Sequence, residues 1–234
     1  MKTSIAISLV YLLTGLSNIL ADNYLEQLDK SFYAEYAVMK MEMHKDNKMM
    51  RHYEMEYYRQ GDKMRMEFTA PATEKGRRML NDNTSLWMYL PRTSKIMKQP
   101  FKQSFMGSDA SNTDLMRMSF RNDYEIETVS NQGKGIVVLY LKAKNAEVAY
   151  DKTVVEFDTR KKVPIKQEMY SISGKLIKTI FYENPILVDD LYFPSTMIIK
   201  EELQKNTETK IYYSDIRKKT NRPAEYFTLG ALKR

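Results

Sequence analysis

Between residues 37 and 68 apolar and polar side chains alternate with a period of two, which limits what the chain can fold into more than any other feature. Ala37, Met39, Met41 and Met43 alternate with Val38, Lys40, Glu42 and His44. Tyr53, Met55 and Tyr57 alternate with His52, Glu54, Glu56 and Tyr58. Met64, Met66 and Phe68 alternate with Lys63, Arg65 and Glu67. Successive side chains of a strand point to opposite faces, so each run predicts a strand with one apolar and one charged face. The turns Lys45-Asp46-Asn47-Lys48 and Gly61-Asp62 join the three runs into an antiparallel meander that Pro71 ends.

The same pattern predicts a hairpin over 77–81 and 85–90, turning at Asn81-Asp82-Asn83 and ending at Pro91. Further strands are expected at 122–130, 135–143, 152–158, 163–171, 175–182, 193–200 and 207–216, punctuated among others by Ser173-Gly174, Asn184-Pro185 and Gln204-Lys205-Asn206. Spacings near ten residues suit one large sheet or barrel and not alternating β and α units. Helix is expected only at residues 22–30, where Tyr24, Leu25 and Leu28 are helically spaced, and within the non-β stretch 100–119. There Ser111 and Asp114 have the spacing of a capping box.

The N-terminus has Lys2, an apolar run from Ile5 to Leu13, and Ala21 before Asp22. This is the layout of a cleaved secretory signal peptide over 1–21, leaving residues 22–234 as one domain exported to the periplasm. No later segment is apolar enough to cross a bilayer. The absence of cysteine excludes disulfides, thiol catalysis, zinc–thiolate sites and lipidation on cysteine. No nucleophile elbow, metalloprotease helix, phosphate loop or dinucleotide fingerprint is present, so the chain is not expected to be an enzyme. Lys and Arg are interspersed with acids, which argues against nucleic acid. The densest basic region, Arg77-Arg78, Arg92, Lys95, Lys98 and Lys102, reads as a solubilising surface or as a site attractive to anionic lipid or an acidic partner.

Methionine is the compositional anomaly: of 17, 14 fall between Met39 and Met118. Met-x-Met spacings such as Met39-Lys40-Met41 and Met64-Arg65-Met66 are compatible with Cu(I) ligation, since thioethers are soft ligands. They are equally what one apolar strand face looks like, and flexible thioethers make such a face adaptable to ligands of varied shape. The adaptable face is the favoured reading, and no metal or other cofactor is assigned. His44 and His52 flank the first turn on the polar face; they could meet across it around a metal ion, but polar surface is the expectation.

One block carries more than pattern: Arg77-Arg78-Met79-Leu80, Leu86-Trp87-Met88-Tyr89-Leu90-Pro91, Lys95-Ile96, Phe105-Met106-Gly107-Ser108-Asp109 and Thr113-Asp114-Leu115. In this order it resembles the LolA-like family of outer-membrane lipoprotein-sorting proteins, particularly the branch associated with RND-type transporters. Val163-Pro164, Gly174-Lys175-Leu176, Tyr192-Phe193-Pro194 and Phe227-Thr228-Leu229 extend the resemblance over nearly all of residues 22–234. Asp109-Ala110-Ser111-Asn112 departs from it, since relatives usually place aromatic residues after Gly-Ser-Asp.

The resemblance implies a mainly β fold: an unclosed, strongly curved antiparallel barrel with short helices as a lid over an apolar cavity for acyl chains. Met39, Met41, Met43, Met55, Met64, Met66, Phe68, Leu86 and Met88 are then expected to line the cavity, with Trp87 and Tyr89 on the opposite face or at the rim. Gly107, Ser108 and Asp109, with Asp114 behind them, are expected to shape the lid entrance. The implied function is a monomeric carrier of lipoprotein or lipid acyl chains towards the outer membrane, with an inner-membrane RND-type transporter as a partner. The competing readings are a Met-rich Cu(I)-binding exported protein and a periplasmic adaptor whose apolar interior is merely core.

Overall fold

Thirteen strands account for the alternation. A computed structural model describes residues 23–117, 119–204 and 206–233. The signal peptide expected at 1–21 lies outside the described residues, as do Asp22, Met118 and Lys205. The strands are β1 (Tyr36–Lys45), β2 (Lys48–Gln60), β3 (Lys63–Ala70), β4 (Arg78–Asn81), β5 (Leu86–Leu90) and β6 (Lys95–Gln99) in the first half. The second half holds β7 (Tyr124–Gly133), β8 (Ile136–Ala143), β9 (Lys152–Asp158), β10 (Val163–Tyr170), β11 (Leu176–Val188), β12 (Leu191–Glu201) and β13 (Thr207–Arg217). Helix α1 covers residues 23–31, and α2 (Asn112–Met116) and α3 (Phe120–Asp123) lie between the two halves. Among the described residues no helix is long and apolar enough to cross a membrane.

All thirteen strands form one antiparallel sheet in the order β6-β5-β4-β3-β2-β1-β13-β12-β11-β10-β9-β8-β7. Each half is thus a meander, and the two are joined where β1 pairs with β13, from Tyr36 opposite Arg217 to Lys45 opposite Thr207. The outermost strands β6 and β7 do not pair, so the sheet is an unclosed barrel. Its curvature follows from who meets whom. Met66 on β3 and Met169 on β10 are six strands apart, about 29 Å on a flat sheet at about 4.8 Å per strand, yet they belong to one apolar cluster.

Directly paired residues share a face, which assigns every cluster to a side. Met39 faces Met55, and Met66, Met79, Met88 and Met97 form a row across β3–β6, fully buried at Met66 and open at Met97, which is 46% exposed. On the same inner side Met169 opposes Thr153, which continues through Val155 and Phe157 to Leu139. Leu25 and Leu28 of α1 pack there, so α1 fills the concave side at the β7–β9 end while residues 100–117 fill it at the β1–β6 end. Phe32 touches both clusters.

The structure corrects the sequence reading in three places. β6 was not expected, because Lys95–Gln99 is an edge strand with little alternation to betray it. Asn184-Pro185 is not a turn: β11 runs through it to Val188, with Asn184 at φ 50° and Pro185 opposite Pro194. The proline is tolerated because β10 pairs only with Leu176–Phe181, so nothing beyond needs its missing N–H. Third, the strand face opposite the methionines, expected to be polar and solvated, is partly covered at Tyr58, Arg65 and Tyr89. The 3₁₀ turns Ala224–Phe227 and Gly230–Lys233 bury Phe227 and Leu232 against Tyr58, Leu80 and Tyr89 on the convex side. Arg65, fully buried, donates to the carbonyls of Tyr226 (2.9 Å) and Ala231 (3.2 Å), pairs with Glu67 at 2.8 Å, and lies 4.0 Å over the Tyr226 ring. Those partners offset the cost of burying its charge.

Candidate ligand site

The segment 100–117 crosses the concave face, and its sequence explains why it is not a strand. Ser111 caps α2, accepting from Asp114 N at 3.2 Å, while the Asp114 carboxylate accepts from Ser111 N at 2.7 Å, the reciprocal capping box that the spacing predicted. The helix is a single turn. Phe105, Leu115 and Met116 point into the barrel and are buried, with Phe105 stacked on Phe68 at 6.1 Å between ring centres.

Polar bonds tie this segment to strands distant in sequence. Lys178 Nζ on β11 lies 2.5 Å from Asp114 Oδ2, and Tyr150 Oη donates to Asp114 Oδ1 at 3.0 Å. Burial, and then the Asp114 charge, push the Tyr150 phenol well above its usual range, so it stays a neutral donor. Asp109 accepts from the hydroxyls of Thr207 and Thr209 on β13, both at 2.7 Å. Arg77 pairs with Glu74 at 2.5 Å and reaches the thioether sulfurs of Met88 (3.3 Å) and Met106 (3.6 Å), bridging sheet and segment. Beyond the segment, Asp29 of α1 caps α3, accepting from Phe120 N at 2.6 Å and Arg121 N at 3.1 Å. Burial raises the Asp29 carboxyl above its ordinary value despite those bonds.

Two neighbouring spaces lie beside α2. A mainly apolar cavity of about 50 Å³ lies among Phe32, Ala37, Tyr57, Leu115, Phe193 and Tyr213, with Met64, Met197 and the two charged residues Arg59 and Asp114 also on its wall. Arg59 and Met64 also line a neighbouring polar compartment of about 160 Å³, which presents Asp62, Asn81, Arg117 and Asp123. Tyr213, Tyr57 and Tyr182 are raised above the usual phenol range, chiefly by burial, so the inner aromatic wall is uncharged.

Of the residues expected to line a cavity, Met39, Met41, Met55, Met66, Phe68 and Leu86 are buried on the inner face in one cluster with Phe105, Leu115 and Met116; Met43 and Met88 pack against it, half-buried. Met64 alone among the nine touches the cavity as it stands. Trp87 and Tyr89 lie on the opposite, convex face, as expected. Gly107 and Ser108 form the turn that delivers Asp109 to β13, with Gly107 at φ +79°, a conformation that favours glycine. Phe32, Phe193, Met197 and Tyr213 were missed; Phe193 and Tyr213, ring centres 5.4 Å apart, sit on strands whose alternation is weak. The two histidines are not opposite each other across the turn: His52 is opposite Glu42 and His44 opposite Met49, and His44, two residues along β1 from Glu42, lies 3.2 Å from its carboxylate. Among the described residues no group of three or more His, Asp or Glu side chains is placed to hold a metal ion.

Three solved structures share this architecture. A LolA superfamily protein from Nitrosomonas europaea is 24% identical, with a TM-score of 0.77 over 90% of this chain and 98% of its own. A DUF1329 family protein from Desulfovibrio piger is 20% identical, at 0.76 over 92% and 98%. A Vibrio parahaemolyticus structure described as an outer membrane lipoprotein-sorting protein domain is 22% identical, at 0.76 over 92% and 97%. At these identities the likeness establishes the fold. Among curated proteins none matches the sequence significantly. A family model described as "-like: Uncharacterized protein" matches residues 60–234. The chain therefore belongs to that uncharacterized-protein family, and its fold is the open barrel of the LolA superfamily.

Proposed function

We propose that the protein is a periplasmic, non-enzymatic carrier that takes up the acyl chains of a lipid or lipoprotein between the methionine-rich inner face and segment 100–117, for delivery towards the outer membrane. Residues 22–234 are read as its single carrier domain and residues 1–21 as its cleaved leader. An RND-type transporter is the proposed donor. The observation that carries the reading is that the apolar wall is covered by a separate segment, held by a few side-chain anchors, and not by the sheet itself.

The energetics suit reversible exchange. Moving Phe105, Leu115 and Met116 out to water forfeits about 1.5–3 kcal/mol each, while burying about a dozen methylenes returns about 0.8 kcal/mol apiece, roughly 10 kcal/mol. Releasing the buried Asp114–Lys178 pair and the Asp109 bonds adds to the first sum, so the segment opposes uptake and favours release. An apolar space of about 50 Å³ is too small for an acyl chain, so uptake requires the segment to move outward.

The test is native mass spectrometry of protein released from the periplasm without detergent. An acyl-bearing adduct is expected, removable by organic extraction. Protein that is uniformly at its bare mass, and that takes up no added fatty acid, would overturn the carrier reading.

A further inference from the structure

Arg59 and Met64 line both the apolar cavity and the polar compartment beside it, so an amphiphile whose tail enters at the cavity as the segment moves outward would carry its polar end next to the compartment. The compartment has two guanidiniums, Arg59 and Arg117, and two carboxylates, Asp62 and Asp123. Arg59 is held in place by its Nε bond to the Gly61 carbonyl (2.8 Å) and by stacking on Tyr33, and Arg117 lies 4.8 Å over Phe101. Among the described residues neither arginine is ion-paired with a carboxylate. Planar guanidiniums are suited to phosphate oxygens, which they bind with paired hydrogen bonds. A purely anionic headgroup would also face Asp62 and Asp123.

We infer that this compartment seats the headgroup of the carried molecule, and that the headgroup is zwitterionic: a phosphate against Arg59 and Arg117 and an ammonium against Asp62 and Asp123. The inference rests on the carrier reading and adds the class of cargo, a phosphate–ammonium amphiphile. Arg59 has a structural part as well, since its backbone N–H donates to the Glu35 carbonyl at 2.9 Å where the chain enters β1.

The experiment titrates the delipidated full chain with four probes: palmitoyl lysophosphatidylethanolamine, palmitoyl lysophosphatidylglycerol, monopalmitoylglycerol and tail-free glycerophosphoethanolamine. The ethanolamine lysolipid is expected to bind about tenfold or more tighter than the other two tailed probes, the tail-free headgroup only weakly. Arg59→Gln with Arg117→Gln should lower its affinity to about that of monopalmitoylglycerol for the same variant. The exposed Arg117→Gln alone, which leaves the Arg59 stack intact, should remove part of the preference and so guards against a folding defect. Equal binding of the three tailed probes overturns the headgroup assignment while leaving the carrier standing. Equal binding of the two phospholipids overturns the zwitterion, and equal binding of the tail-free probe overturns the amphiphile. If no tailed probe binds, the carrier reading falls and this inference with it.

Discussion

Lys178 and Asp114, 64 residues apart, form an ion pair of 2.5 Å whose side chains are 5% and 0% exposed, and it fastens the segment crossing the barrel to β11. A buried pair gains little over an apolar replacement, but removing one partner strands the other. Lys178→Met should therefore cost about 3–5 kcal/mol in urea unfolding, because Asp114 keeps its charge without a cation. Asp114→Asn combined with Lys178→Met should cost clearly less than the sum of the single changes. Additive losses would show that the two do not act as a pair.

The methionine wall should tolerate a change of shape better than a loss of volume. Met66→Leu is expected to cost less than about 1.5 kcal/mol, and Met41→Ala about 2–5 kcal/mol, since both sites are closed to solvent. On the exposed hairpin tip, Met50→Ala, at a residue 63% exposed, should change stability by no more than about 0.5 kcal/mol. Chemical denaturation of the three variants checks the ranking.

Asp29 holds the start of α3 from across the chain, so Asp29→Ala should cost about 1 kcal/mol. Burial raises its carboxyl above the ordinary 3.8, so the folded protein favours its protonated form, and acidification relieves the cost of burying the charge. Asp29→Asn keeps an acceptor oxygen and removes that charge, and should be tolerated better than alanine in thermal melts at pH 7. An asparagine variant less stable than the alanine one would contradict this assignment.

Most of the strand pattern was legible because each strand buries one face, and a period of two survives whatever partner covers it. The failures have a common physical cause. Arg65 reads as a solvent-facing residue until the C-terminal turns, more than 150 residues later, are placed over it. Lys95–Gln99 lies at an edge, where burial leaves little mark on sequence. In the candidate site, alternation could say that Met39, Met41 and Met66 face inward, but not that Phe105, Leu115 and Met116 would pack against them. Nor could it place the remaining space beside Phe193 and Tyr213, which depends on how far the sheet curls. The Ser111–Asp114 capping box was readable because it is local; the lysine that Asp114 meets was not, because it is not.

Glu168 on β10 accepts from Lys166 at 2.5 Å and Tyr170 at 2.6 Å, and the lysine, then the tyrosine, hold its carboxyl below the ordinary 4.5. A lowered folded value means stabilisation that is fully present above 4.5 and lost as pH falls through the folded value. The difference in melting temperature between the wild type and Glu168→Gln should therefore be positive at pH 7 and shrink towards zero under acid. A difference that is flat with pH would remove Glu168 from the acid response.

Photo-crosslinking with a diazirine-bearing palmitate, read by peptide mass spectrometry, tests most directly whether an alkyl chain can occupy the methionine-lined interior. Adducts are predicted on the inner-face peptides carrying Met39, Met41, Met55 and Met66 and on segment 100–117, and they should be suppressed by excess unlabelled palmitate. Adducts confined to the exposed Met49, Met50 and Met97, or adducts that palmitate does not suppress, would contradict it.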